Sequence, residues 1–129
     1  MGFKVPAGVD YIAVNHASWD TLADLHYRDE NDWYKIKGFL DGEDRRAPID
    51  IELMGDLTGK RVLHSQCHFG LDTLSAARYA DHVTGLDFSE NAVRHASELA
   101  KRAGLSDKAK FVLSNVYDAG KVLEAESFD

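Results

Sequence analysis

Hydrophobic and polar positions along this chain follow two different regimes, with the change near Lys60. Before it, apolar residues recur at helical intervals: Trp19, Leu22, Ala23 and Leu25 predict one amphipathic helix from Asn15 to about Arg28. Trp33, Ile36 and Phe39 predict a second, shorter helix over Asp32–Leu40, with Gly42 just past its end. Asp41 to Pro48 is expected to be an exposed loop. Pro48 then opens a short helix through Met54, closed by Gly55.

After Lys60 the elements alternate. Arg61–Ser65 predicts a strand, Gly70–Tyr79 a helix with Leu71 and Leu74 inward, and His82–Leu86 a second strand. Ser89 suits the N-cap of a helix over Glu90–Arg102, whose stripe is Ala92, Ala96, Leu99, Ala100 and Ala103. Gly104 is a stop signal. Lys110–Ser114 predicts a third strand and Lys121–Glu124 a short helix. Strand, helix, strand, helix, strand implies an α/β fold: a Rossmann-like three-layer sandwich with a parallel sheet and right-handed crossovers. The expected division is a helical N-terminal extension over 1–58 and a partial Rossmann-like domain over 59–129.

Composition narrows the function classes. With 44% hydrophobic and 29% charged residues, the chain has the make-up of a globular protein, and no apolar run is long enough to cross a bilayer. A net charge of −7 without a strong Lys/Arg cluster gives nucleic-acid binding little electrostatic support. The single cysteine, Cys67, and the lack of an apolar leader fit a reducing cytoplasm.

Chemistry concentrates at the ends of the predicted strands. Asp87 closes the second strand, seventeen residues after Gly70, where open α/β sheets bind ligands. A carboxylate there can accept both hydroxyls of a ribose. The loop Gln66-Cys67-His68-Phe69-Gly70 has one glycine and bulky neighbours, which would crowd a dinucleotide pyrophosphate but leave room for a nucleoside with an amino-acid tail. Gly70 fits close backbone approach. Asn115 and the backbone beside Val116 can meet an adenine edge. Phe88 suits either an apolar face against the base or core packing. His64, Cys67 and His68 raise a metal reading, but structural zinc usually takes four ligands from separated pairs, and His82 and His95 form no pairing motif, so no metal site is assigned.

The span from Lys60 to Asp118 resembles the first half of a class I S-adenosylmethionine-dependent methyltransferase. Against the common pattern V-L-D-x-G-C-G-x-G the chain keeps Val62, Leu63, Cys67 and Gly70, while His64, Gln66 and His68 stand where an acidic residue and two glycines are usual. The resemblance is to the subgroup whose motif reads like Leu63-His64-Ser65-Gln66-Cys67-His68-Phe69-Gly70-Leu71-Asp72-Thr73-Leu74-Ser75. It implies S-adenosylmethionine as cofactor, contacted by His64, Ser65, Gln66, Gly70, Asp87, Phe88, Asn115 and Val116. It also implies a methyl group passed to a small-molecule acceptor, while charge and hydropathy point to no nucleic-acid or membrane partner. No catalytic residue is assigned, because a thioether leaving group needs no acid. Val14-Asn15-His16-Ala17-Ser18-Trp19-Asp20 resembles leader segments that lie over the cofactor as a lid, although core packing on the amphipathic helix is the simpler reading of Trp19.

The family's sheet runs 3-2-1-4-5-7-6, and this chain carries strands 3-2-1 only. The expectation is therefore a truncated or fragmentary enzyme, or a chain that completes its sheet by association through the exposed edge of the first strand. The competing readings are a non-catalytic nucleoside-binding or interaction module and a fragment of an NAD-dependent oxidoreductase.

Overall fold

The computed structural model describes residues 6–129. Its elements are α1 (Tyr11–Arg28), α2 (Ile36–Leu40), α3 (Pro48–Met54), β1 (Arg61–Ser65), α4 (Leu71–Ala77), β2 (His82–Asp87), α5 (Glu90–Arg102), β3 (Ala109–Leu113), a 3-10 turn (Val116–Asp118) and α6 (Ala119–Val122). The three strands form a parallel sheet in the order β1-β2-β3, with Leu63 opposite Thr84 and Gly85 opposite Phe111. This is the 3-2-1 half of the Rossmann-like arrangement that alternation predicts.

β2 is central, and from Val83 to Asp87 it is buried throughout, whereas β1 alternates between exposed and half-buried positions. A parallel strand covered on both faces reads as such a continuous run. The core packs Leu74, Val83, Leu99 and Phe69 together, with Phe39 of α2 and Leu57 closing one side. Gly85 exists for this packing: a Cβ there would stand 2.6 Å from the Phe111 ring and 2.8 Å from Cys67 Sγ.

β1, α3 and α5 have the predicted limits, with Gly55 closing α3 and the Ser89 side chain capping α5 by accepting the Ala92 N–H at 3.0 Å. Other expectations need correction. α1 starts one turn earlier because Asp10 caps it, accepting the Ala13 N–H. α2 begins only at Ile36, since the Asp29 carboxylate takes the N–H groups of Tyr34 and Ile36 and holds the preceding segment in a turn. Trp33 is consequently 81% exposed and no part of the core. The 41–48 segment is a loop, but Arg46 within it is buried on a forked contact with Asp44. The last helix, α6, sits two residues before the expected one. At the outer edge of β1, Asp129 N–H donates to the Arg61 carbonyl and Asp129 Oδ2 accepts the Arg61 N–H, each at 2.9 Å.

Candidate functional site

A cleft of about 690 Å³ opens at the carboxyl ends of β2 and β3. Its floor is Leu86, Asp87 and Phe88, and one wall is Ser114, Asn115 and Val116 after β3. The α1 residues Tyr11, Ile12, Asn15 and Trp19 form the opposite wall. Gln66, His68 and Tyr34 complete it.

The wall from α1 follows from its helical period. Trp19 and the residues one and two turns before it face the cleft, while Asp20, Asp24 and Tyr27 face α5. Asp20 accepts from Ser89 Oγ (2.6 Å), Asn91 N (2.9 Å) and Asn91 Nδ2 (3.1 Å). Burial pushes that carboxyl up, but the hydrogen bonds from Ser89 and Asn91 outweigh it and hold its pKa below the usual value. Asp24 accepts from His95 at 2.5 Å and from Arg94 at 3.1 Å, and His16 bonds Glu90 at 2.7 Å. These contacts fix α1 beside the start of α5. Trp19 is 47% exposed, with its ring edge to His68, so the core reading of that residue is corrected.

Asp87 is buried at the cleft floor. One carboxylate oxygen accepts the His68 N–H at 2.8 Å and the other the Ser89 N–H at 3.0 Å. An ionised carboxylate has about four lone-pair directions, so each oxygen retains one for a ligand hydroxyl. The loop it holds has a distinctive backbone: Gln66, His68 and Gly70 have φ of 56°, 55° and 78°. Two of these left-handed positions carry side chains, at a cost of roughly 1–2 kcal/mol each.

The predicted contact residues divide. Gln66, Asp87, Phe88, Asn115 and Val116 line the cleft together. Phe88 is half-buried there, edge-on to His16, and is no core residue. His64 is turned to the other side of β1, where its Nδ1 bonds Thr73 Oγ1 at 2.7 Å and burial pushes its pKa down. Ser65 is exposed outside the cleft lining. Gly70 lies buried beneath the loop, with no room for a Cβ against Phe111 at 2.8 Å. Asn115 Oδ1 accepts the Tyr117 N–H at 3.0 Å, which leaves Nδ2 as a donor toward the cleft.

His64, Cys67 and His68 do not converge. Cys67 is buried, and burial pushes its thiol up to about 12. Among the described residues the one group with metal-like spacing is His16, Asp20 and Glu90, in which His16 bonds Glu90 and Asp20 is occupied by Ser89 and Asn91. Sequence reasoning missed Tyr11, Ile12, Tyr34 and Tyr117 as cleft residues. Asp10, five residues before the predicted helix start, was the available signal for the first two.

This architecture matches known proteins. The profile of the methyltransferase domain family matches residues 63–129, more than half of the chain. The chain belongs to that family. Within it, the resemblance to class I S-adenosylmethionine-dependent methyltransferases holds, and S-adenosylmethionine is the cofactor of the class. A curated relative is the 23S rRNA (uracil(1939)-C(5))-methyltransferase RlmD of Aromatoleum aromaticum, 32% identical over 69 residues that make up 54% of this chain and 16% of that protein. The YcgJ protein of Bacillus subtilis shares the fold with a TM-score of 0.57 at 22% identity, over 63% of this chain and 33% of that one. A structure concerned with conversion of a disulfide bond into a thioacetal group during echinomycin biosynthesis is 32% identical, with a TM-score of 0.50, over 60% and 32% of the two chains. This methyltransferase-family chain thus spans about a third of these solved relatives and a smaller share of RlmD.

Proposed function

We propose that the cleft is the nucleoside side of an S-adenosylmethionine site, and that the 129-residue chain is the cofactor-binding part of a methyltransferase for a small-molecule acceptor. The observation that carries this reading is that Asp87, with a lone pair left on each carboxylate oxygen, lines one cleft with Phe88, Asn115 and Val116. Asp87 accepts the two ribose hydroxyls through its remaining lone pairs. Phe88 and Val116 flank the base, and Asn115 donates Nδ2–H to a ring nitrogen. A cleft of this size falls in the ordinary range for a ligand of this size.

When bound, S-adenosylmethionine supplies a methyl group on a sulfonium, whose departure as a thioether needs no proton. The chain's own residues bind and orient: the α1 wall, Tyr11 to Trp19, excludes water as a lid formed by the 1–58 extension. Holding an acceptor in line at near-contact distance supplies most of the acceleration in such a reaction. His64 and Ser65 serve the scaffold in this reading rather than the ligand.

The RlmD relative supports a second reading, an RNA acceptor. The net charge of −7 argues against it, because phosphate-backbone binding needs clustered cations. The single cysteine, Cys67, supports a reducing, cytoplasmic setting. Among the described residues no helix is long and apolar enough to cross a membrane.

Calorimetry on the whole chain with S-adenosylhomocysteine, S-adenosylmethionine and NAD tests the proposal. Binding of the two adenosyl compounds without NAD, weakened about tenfold or more by Asp87→Ala, is the expected result, since a hydrogen bond to a charged group is worth roughly 1.5–3 kcal/mol. Equal binding of NAD, or no adenosyl binding at all, overturns it.

A further inference from the structure

The loop between β1 and α4 presents a contradiction that its own residues resolve. Its backbone takes left-handed φ at Gln66, His68 and Gly70, the conformation glycine adopts at no steric cost, yet His68 keeps a large side chain there. A non-glycine residue persists in such a conformation where the surrounding structure over-determines it. The His68 ring does not point to open solvent. Its Nε2 lies 3.0 Å from Nδ1 of His26 in α1, and the same His26 nitrogen lies 2.9 Å from the Tyr34 hydroxyl.

Around this hydrogen-bonded group the rings pack on one another. His68 meets Trp19 at 5.9 Å and His26 at 5.2 Å, both edge to face, and lies 4.8 Å from Phe69. Tyr34 stands edge-on to Phe69 at 5.1 Å. Meanwhile the His68 backbone N–H is the one that Asp87 accepts. One residue therefore holds the cleft-floor carboxylate with its main chain and the N-terminal segment with its side chain. Burial, with the neighbouring His26 adding to it, pushes His68 down to about 4, so the ring is neutral at pH 7 and fit to share one proton with a second imidazole.

We propose that His68 is a positioning residue that latches the N-terminal helical segment to the cofactor loop, so that filling the cleft and holding α1 over it are one coupled event. The coupling to a ligand rests on the nucleoside reading above, but the latch itself does not. The groups facing His68 from its neighbours are His26 of α1, Tyr34, Asp87 of β2 and, farther off, His95 of α5.

The test uses the whole chain and three variants: His68→Gly, His68→Asn and His26→Ala. Glycine and asparagine both tolerate the left-handed backbone, and neither reaches His26. Amide hydrogen exchange is read without ligand, and S-adenosylhomocysteine affinity by calorimetry. The expected result is faster exchange across residues 22–36 in all three variants, with β2 and α5 unchanged. Affinity falls about tenfold in each. The His68→Gly, His26→Ala double variant is no worse than either single one, because both remove the same contact. Unchanged exchange in 22–36 overturns the latch, and additive losses of affinity overturn the coupling. If the unmodified chain binds no adenosyl compound, the functional reading fails and the coupling with it, while the exchange measurement still decides the latch.

Discussion

Cys67 and His68 are adjacent, and burial shifts their pKa values in opposite directions while favouring the neutral form of each. Cys67 is enclosed beneath the loop with its thiol pushed up to about 12, so it should resist thiol reagents in the native protein and react only after unfolding. Rapid modification by a thiol reagent in buffer at pH 7 would contradict that. His68 titrates downward. Its folded pKa, about 4, lies below the unfolded value near 6.5, so between the two the unfolded chain binds more protons. Stability should therefore be fully present above pH 6.5 and decline as pH falls toward 4. His64, also pushed down by burial, adds to the decline in the same direction. Urea midpoints across that window should show a shallower decline in His68→Asn than in the unmodified chain. At this scale the sequence was partly legible. Asp87 was found because it ends the second strand, where open α/β sheets bind ligands, but the partners of His68 come from positions 26 and 34, which no local spacing links to it.

Elements were legible wherever a local signal sufficed. The Ser89 cap, the Pro48 start and the Gly55 stop each act within one turn, and the helices they bound have the predicted limits. α2 failed because the competing signal reaches past a single turn: the Asp29 side chain captures two amides five and seven residues ahead and delays the helix. α1 is the clearest case of position set from outside, since its apolar side chains are mostly uncovered and Ala23 is its buried residue. Its attachment depends on polar contacts, with Asp20 serving as a second cap on the start of α5. Asp20→Ala should cost about 1–3 kcal/mol by leaving the Ser89 hydroxyl and Asn91 amide without their partner, as measured by urea unfolding. A change within 0.5 kcal/mol would show that α1 is held by other means.

For the whole molecule, the outer edge of β1 stands out: beyond the Asp129 bonds to Arg61, the described residues place no strand against it. β1 has β2 on one side only, Leu63 is 38% exposed, and Leu53 of the adjacent α3 is 77% exposed. Such an edge is a template for further strand pairing. We expect concentration-dependent self-association in gel filtration, reduced in Leu63→Lys; a monomer at all concentrations would refute it. The sequence indicated this edge through the strand order alone, while the cleft on the opposite side needed the folded placement of α1 to become visible. The contact between the Asp87 carboxylate and the His68 amide also bears on how such a cleft would fare in a cell crowded with adenine compounds. ATP, AMP and NAD all bring phosphate charge to an adenosine, and here the loop amide that would greet it is already occupied by the protein's own anion. Abundant phosphorylated nucleotides would then be poor competitors, and a scarcer adenosyl ligand without phosphate would keep the cleft to itself.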